Sequence, residues 1–469
     1  RRCRRPRRGS REAFPSGATA ESSLISHTIV SPSCLEHEVG RVYLSDDKHI
    51  EKAIHSAQKA YEEWNNKGPA FRAECLRKAA DLLEENQSEL MALAILEAGK
   101  TLSDAIGEVR EAADFCRYYA YLAEEQLATP TVFKGYTGEH NTLSLHGRGV
   151  MLCISPWNFP LAIFLGQITA CLAAGNTVIA KPAEQTPLIA ARAIELLYQA
   201  GIPHDVLHLL PGDGAVIGPK LTADTRIQGV LFTGSTETAK NIAQTLANRT
   251  GPIVPFVAET GGLNAMIVDS TALLEQVTQD VLISAFGSAG QRCSALRVLF
   301  VQEEVFDALM RLLEGAMHEL VIGDPSLLQT DIGPVIDKDA QDMLQKHIHK
   351  MKNSATLITE VMLTKEIRHA GHFVAPSAFE ISDLSVLKRE VFGPILHVIR
   401  YKRENLPDVI DSINQSGYGL TLGIHSRIGS TIDFIQSRAR VGNCYVNRSM
   451  IGAVVGLQPF GGEGLSGTG

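Results

Sequence analysis

The chain has 469 residues, 45% of them hydrophobic and 20% charged, with a formal net charge of −8. That length exceeds one compact core and implies two or three domains, and the acidic balance with so few charged residues argues against a general nucleic-acid binder. Eight cysteines are scattered without a CxxC pair or zinc-like Cys/His spacing, so no metal site is expected and the thiols read as reduced, in a cytoplasmic setting.

In chain order, residues 1–23 are rich in Arg, Gly and Ser without hydrophobic periodicity and are expected to be disordered. Their arginines fit a transit peptide, a polybasic arm or simply a fragment boundary. From 47 to 126 the pattern is helical: Ile50, Ala53, Ile54, Ala57 and Ala60, then Leu76, Ala79, Ala80 and Leu83, recur at three- and four-residue steps, with breaks at Gly68-Pro69 and Gly99. Thr142-Leu143-Ser144-Leu145-His146 alternates like a half-exposed strand. The most apolar run, 161–180, is interrupted by Gln167, Thr169, Gly175 and Asn176, which predicts a buried helix and then a strand rather than a membrane span.

Short apolar strands at 176–180, 206–210 and 229–232 alternate with helical runs at 188–200 and 237–247. This alternation predicts an α/β fold with a parallel sheet covered on both faces, and a nucleotide at its carboxyl edge. After Glu259 the pattern restarts with 264–268, a helical run over 272–288 and a strand at 298–301, which predicts a second α/β domain.

Several stretches carry chemistry. In Phe286-Gly287-Ser288-Ala289-Gly290-Gln291-Arg292-Cys293-Ser294-Ala295 one cysteine follows an arginine among small residues. The thiolate is the nucleophilic form, and Arg292 with nearby backbone N–H groups is expected to lower its pKa from about 8.5; a lone cysteine otherwise reads as a small buried hydrophobe. Gly234-Ser235 closes a strand and opens a helix, whose free N–H groups suit a pyrophosphate, or Ser235 is an ordinary cap. Lys181 and Glu184, in Lys181-Pro182-Ala183-Glu184, can reach ribose hydroxyls, and a carboxylate there repels a 2′-phosphate. Glu259, before Gly261-Gly262, suits general base work if partly desolvated, whereas an isolated glutamate reads as a surface acid. Asn158 lies between Trp157 and Phe159-Pro160, where a carboxamide needs a partner or serves a turn.

In their order and separations, Ser155-Pro156-Trp157-Asn158-Phe159-Pro160, Glu259-Thr260-Gly261-Gly262, the cysteine segment, Glu390-Val391-Phe392-Gly393-Pro394 and Pro459-Phe460-Gly461-Gly462 resemble the aldehyde dehydrogenase superfamily. The resemblance implies a Rossmann-like NAD-binding domain over 24–258, with a β-hairpin oligomerisation arm at about 133–149. It also implies a catalytic domain over 259–446 and a substrate-anchor segment over 447–469 that returns to the first domain. NAD is then held by Ser155, Pro156, Trp157, Lys181, Pro182, Glu184, Gly234, Ser235, Glu390 and Phe392. Cys293 attacks an aldehyde, Asn158 and the Cys293 N–H form the oxyanion hole, and Glu259 activates the water that hydrolyses the thioester, with no metal required.

A finer resemblance, carried also by His146-Gly147-Arg148-Gly149-Val150 and by the run from Ile451 to Gly462, is to the L-glutamate γ-semialdehyde (1-pyrroline-5-carboxylate) dehydrogenases and the matching domain of bifunctional proline utilization A. It implies Arg292, Ser294, Gly452 and Ala453 at the substrate carboxylate, Phe159 and Phe460 along its methylenes, and Glu111 at its ammonium. Read singly, these are also core aromatics, a turn glycine and a solvated helix face. The resemblance further implies a homo-oligomer built with a segment beyond Gly469, and fusion to or coupling with a proline dehydrogenase. Neither a nucleic acid nor a membrane is an expected partner. Competing readings are a dehydrogenase of another short semialdehyde, a coenzyme A-acylating relative and a catalytically silent protein of the same fold; Glu259 weighs against acylation, and the Cys293, Asn158 and Glu259 set against silence.

Overall fold

Two mostly parallel sheets organise the chain, as the strand and helix alternation predicts. The structure, a computed structural model, describes residues 11–18 and 24–469. In the first sheet the strands lie in the order Phe256–Glu259, Ile227–Thr233, Val150–Ile154, Thr177–Lys181 and Leu207–Leu209, all parallel. Its middle strands are buried on both faces, which explains their unbroken apolar runs. Chain order reverses between Val150–Ile154 and Ile227–Thr233, and the crevice outside the carboxyl ends of such strands is where ligands bind.

The second sheet has seven strands, in the order Thr356–Glu360, Ser377–Glu380, Ile395–Tyr401, Val298–Gln302, Ala265–Val268, Thr421–His425 and Asn443–Val446, and only the Thr356–Glu360 edge is antiparallel. One large apolar core, from Leu263 to Met450, surrounds it.

The amino-terminal helices are Asp47–Asn66, Pro69–Glu85, Gln87–Ala98 and Leu102–Leu127. Pro69 opens the second after Gly68 (φ 83°), and Gly99 (φ 66°) ends the third, so both predicted breaks occur; a further one falls at Asn86. Two later helices lack side-chain caps of their own and use buried carboxylates instead. Glu97 accepts from the Leu188 and Ile189 N–H groups, both at 2.8 Å, and Glu108 accepts from those of Leu161 (3.2 Å) and Ala162 (3.0 Å). Glu108 thereby fixes the start of the helix that follows Asn158.

Three expectations need correction or trimming. Disorder over 1–23 fails for 11–18: Arg11–Ala13 pairs in parallel with Cys34–Tyr43, Ala13 is buried and Phe14 stacks on Tyr43 at 4.3 Å between centroids. Residues 1–10 and 19–23 lie outside the described residues. Cys34 is disulfide-bonded, so among the described residues reduced thiols hold for Cys75, Cys116, Cys153, Cys171, Cys293 and Cys444. The strand expected at 142–146 is confined to Asn141–Leu143, the exposed partner of Thr131–Phe133 in an antiparallel hairpin. Among the described residues no helix is long and apolar enough to cross a membrane.

Candidate active site

A cavity of about 340 Å³ opens at the carboxyl ends of Val150–Ile154 and Ile227–Thr233, where the chain order reverses. Pro156, Trp157 and Asn158 line it from the first strand's loop, Gly234 and Ser235 from the second's, and Cys293, Glu390 and Phe392 from the other sheet's side. Ser155 is buried beneath and donates its N–H to the Lys181 carbonyl.

Cys293 follows a helix, Leu274–Phe286, that ends in a tight turn where Ser288 and Ala289 (both φ 54°) and Gly290 (φ 66°) are left-handed. A Cβ on Gly290 would lie 2.2 Å from the Gly393 carbonyl, so only glycine allows the two segments to touch. Asn264 donates to the Cys293 and Ala295 carbonyls at 2.6 and 2.9 Å, and the buried Arg297 donates to those of Gly290 (2.6 Å) and Arg292 (3.0 Å). Asn158 spends one carboxamide hydrogen on the Gln291 carbonyl at 3.0 Å, which orients the group with its second hydrogen unspent.

The expected lowering of the Cys293 pKa does not occur. Burial, and then the charges of Glu390 and Glu259, push the thiol up to about 12, against the Ser294 N–H and Arg297. Arg292 is committed elsewhere, donating to Asp104 at 2.7 Å.

Glu259 ends the edge strand Phe256–Glu259. Burial raises its pKa to about 7, opposed only by the Gly462 N–H, and its Oε2 is buried without a hydrogen-bond partner. An acid of that pKa is suited to accept a proton near neutrality.

At the far end of the first sheet's carboxyl edge the buried Lys181 ammonium meets Glu184 Oε1 at 2.9 Å, and the Gly214 N–H donates to the same oxygen. Burial pushes Glu184 up, but Lys181 and these hydrogen bonds outweigh it and hold the carboxyl below its ordinary range. A second cavity of about 270 Å³ lies against Glu184, Pro187 and Gly212; Pro182 is buried beside it. Ser235 caps Thr236–Ala247, accepting from the Thr238 N–H at 3.1 Å, so this helix's first turn faces the cleft. Glu390 accepts from Arg297 (2.9 and 3.2 Å) and from the Gly262 N–H; burial nevertheless raises its pKa. Phe392 packs edge-on to Trp157 at 5.7 Å between centroids. Free helix N–H groups, a ribose-reaching lysine and carboxylate pair, and a second carboxylate with an aromatic ring at the other end form a donor set that fits a dinucleotide.

The helix Leu102–Leu127 packs behind Arg292 and the 158–162 segment with one stripe: Asp104, Glu108, Glu111, Phe115 and Tyr118 follow at three- and four-residue steps. Burial pushes Asp104 up, but Arg292 and Lys100 outweigh it and hold the carboxyl below its ordinary range. Lys100 lies 3.4 Å from Glu108 and 4.5 Å over the Phe159 ring, which Arg292 covers at 5.5 Å. Burial, then the Glu108 charge, pushes Glu111 up to about 7. A Cβ on Gly456 would lie 3.3 Å from Tyr118, so segment 451–460, with Gly452 (φ 75°), Ala453 and the exposed Phe460, runs beside this helix. Ser294 is buried next to the thiol.

Sequence reasoning missed Arg297, Asn264, Asp104 and Glu108. The first two act on backbone carbonyls and leave no pattern; the carboxylates at helical spacing on an apolar face were a usable signal.

The model of the aldehyde dehydrogenase family matches residues 19–469. The chain is 51% identical over 448 residues to bifunctional protein PutA of Escherichia coli K12, covering 94% of this chain but 33% of that protein. It therefore spans about a third of the length of such curated relatives. It is 34% identical to 1-pyrroline-5-carboxylate dehydrogenase of a Geobacillus species, covering 96% of this chain and 87% of that one. The crystal structure of a Bradyrhizobium japonicum proline utilization A mutant superposes with a TM-score of 0.89 at 54% identity, over 91% of this chain and 43% of that one. A Thermus 1-pyrroline-5-carboxylate dehydrogenase with bound NAD superposes with a TM-score of 0.92 at 33% identity, over 98% and 89%. With a family model matched over residues 19–469 and with Cys293 and Asn158 lining one cleft, the chain belongs to the aldehyde dehydrogenase family.

Proposed function

We propose that the chain oxidises L-glutamate γ-semialdehyde to L-glutamate with NAD, the second step of proline catabolism. One observation carries the chemistry: a thiol and an oriented carboxamide line one cavity, and a half-buried carboxyl, pushed up to about 7 by desolvation, is in electrostatic reach of the thiol. NAD bound along this cleft supplies the hydride acceptor, held by Lys181 and Glu184 at one ribose, by the Gly234-Ser235 turn and by Glu390 and Phe392 at the other.

The resting thiol keeps its proton and gives it up to solvent to form the attacking thiolate. The sulfur then attacks the aldehyde carbon, and the second Asn158 N–H and the Cys293 N–H meet the oxyanion, donors worth about 3 kcal/mol each in such sites. Loss of the aldehyde hydrogen as hydride leaves a thioester on Cys293. Glu259 takes a proton from the water that attacks this thioester, which releases the carboxylate and restores the thiol. For the substrate's remote end, Arg292 keeps a buried Nε–H without a partner beside Ser294, and Glu111 offers its carboxyl to the ammonium.

The first-sheet region, about 24–258, serves as the NAD-binding domain, 259–446 as the catalytic domain and 447–469 as the substrate anchor. Homo-oligomerisation through the hairpin and a fusion to or coupling with a proline dehydrogenase belong to the same reading. A cytoplasmic location rests on the six free thiols.

The test is NADH release by Glu259→Gln. The expected record is a burst of about one NADH per site, a stalled slow phase and an acyl adduct on Cys293 by intact mass. In the unaltered enzyme the slow phase should rise with pH through about 7, because the folded carboxyl is raised and only its ionised form accepts a proton. Wild-type turnover by Glu259→Gln overturns the role of the base. Oxidation of other short semialdehydes but not of this one overturns the substrate.

A further inference from the structure

Glu259 is on an edge strand with one sheet neighbour, Ile227–Thr233. Its other edge is covered by residues 463–469. Thr468 donates its N–H to the Ala258 carbonyl at 2.8 Å and accepts the Ala258 N–H on its hydroxyl at 3.0 Å. Glu259 opposes Gly467 in an antiparallel bridge, and the Thr260 N–H donates to the Ser466 carbonyl at 2.9 Å. The backbone is therefore pinned on both sides of the base.

The Leu465 carbonyl accepts two hydroxyls, Thr260 Oγ1 at 2.6 Å and Thr236 Oγ1 at 3.1 Å. Thr260 is buried and follows the base, while Thr236 opens the helix whose first turn faces the cofactor cleft. The Leu465 N–H donates to the Gly417 carbonyl at 2.8 Å, and Glu463–Gly464 pairs with Tyr418–Gly419. One carbonyl thus joins the base and the cofactor helix to a strap anchored in the 417–419 segment.

We propose that Thr260 is a positioning residue for the hydrolytic half of the reaction, its hydroxyl fixing Glu259 through the Leu465 carbonyl that it shares with Thr236. The proposal rests on the reading of Glu259 as the base. Valine has the shape of threonine without the hydroxyl, so Thr260→Val removes the bond with little change in packing volume. Misplacement of a reacting group by about 1 Å can cost on the order of 100-fold in rate.

The experiment compares Thr260→Val, Thr260→Ser and Glu259→Gln by rapid-mixing NADH release across pH. Thr260→Val should keep a burst of about one NADH per site at a rate within about twofold of wild type. Its slow phase should fall at least about tenfold, with the pH midpoint moved from its wild-type position near 7, and Thr260→Ser should restore both. Equal losses in burst and slow phase at an unmoved midpoint would mean a structural role only and overturn the proposal. A wild-type slow phase in Thr260→Val beside a stalled Glu259→Gln would overturn the positioning role alone. A Glu259→Gln enzyme that turns over freely would remove the base itself, and the proposal with it.

Discussion

On the proposed function, Glu184 carries the choice between NAD and NADP on one carboxylate oxygen. Oε1 accepts from both Lys181 and the Gly214 N–H, so the group is ionised and held against the adenosine-side cavity. A 2′-phosphate placed there meets that charge at short range, with only the Lys181 ammonium, already paired, to offset it. Affinity for NAD should exceed that for NADP by at least about tenfold, or roughly 1.4 kcal/mol. Glu184→Gln should narrow the gap chiefly by improving NADP; equal affinities in the unaltered enzyme, by calorimetry, would end the argument. The same scale shows why the thiol was misread from its neighbours. Sequence places Arg292 beside Cys293, but adjacency in the chain says little about direction, and the guanidinium turns to Asp104 on a helix 188 residues away. Burial dominates instead, and two carboxylates from other segments, Glu390 and Glu259, add to it.

At the level of elements, Arg297 joins the cysteine turn to the 390–393 segment. Only 1% of its side chain is exposed, and it binds Glu390, two carbonyls of the cysteine turn and the face of Phe392 at 5.1 Å. Arg297→Met would leave Glu390 buried without its partner, a change that costs about 3–5 kcal/mol. At roughly 1 °C per kcal/mol for a chain of this length the melting temperature should drop by about 3–5 °C, and by less in a Glu390→Gln background. A melt within about 2 °C of wild type would show that the pair is not a structural tie. Elements with local signals were legible: the helices between 47 and 127 follow their apolar steps, and the strands Thr177–Lys181, Leu207–Leu209 and Ile227–Thr233 follow short apolar runs. The break at Asn86 had no glycine or proline to announce it. Of the second sheet only Ala265–Val268 and Val298–Gln302 were read from sequence, because the order and register of the rest are set by partners far along the chain. In the candidate site, residues within short motifs could be named from sequence, whereas those that hold the motifs in place, such as Asn264 and Arg297, could not.

For the whole molecule the hairpin Thr131–Phe133 with Asn141–Leu143 stands out, because nothing covers it in one chain. Val132, Phe133, Tyr136, Leu143 and Leu145 are each more than half exposed. A two-stranded hairpin with apolar faces in water is marginal alone and gains by docking on another surface. Phe133→Asp with Leu143→Asp should yield a smaller species in sedimentation velocity than the unaltered chain while leaving the NADH burst in place. Unchanged sedimentation would show that the arm is not an interface.

The strap behind Glu259 sets a timetable for synthesis as well. Ala258 bonds to Thr468 across 210 positions and Thr260 to Leu465 across 205, so these contacts close among the longest loops in the chain. While a ribosome is still making residues 463–469, the strand bearing Glu259 has a bare edge and an unanchored end. On the proposed mechanism the nucleophile and the cofactor cleft can therefore assemble on a nascent chain before the base is seated, and hydrolytic competence waits on the arrival of residues 463–469.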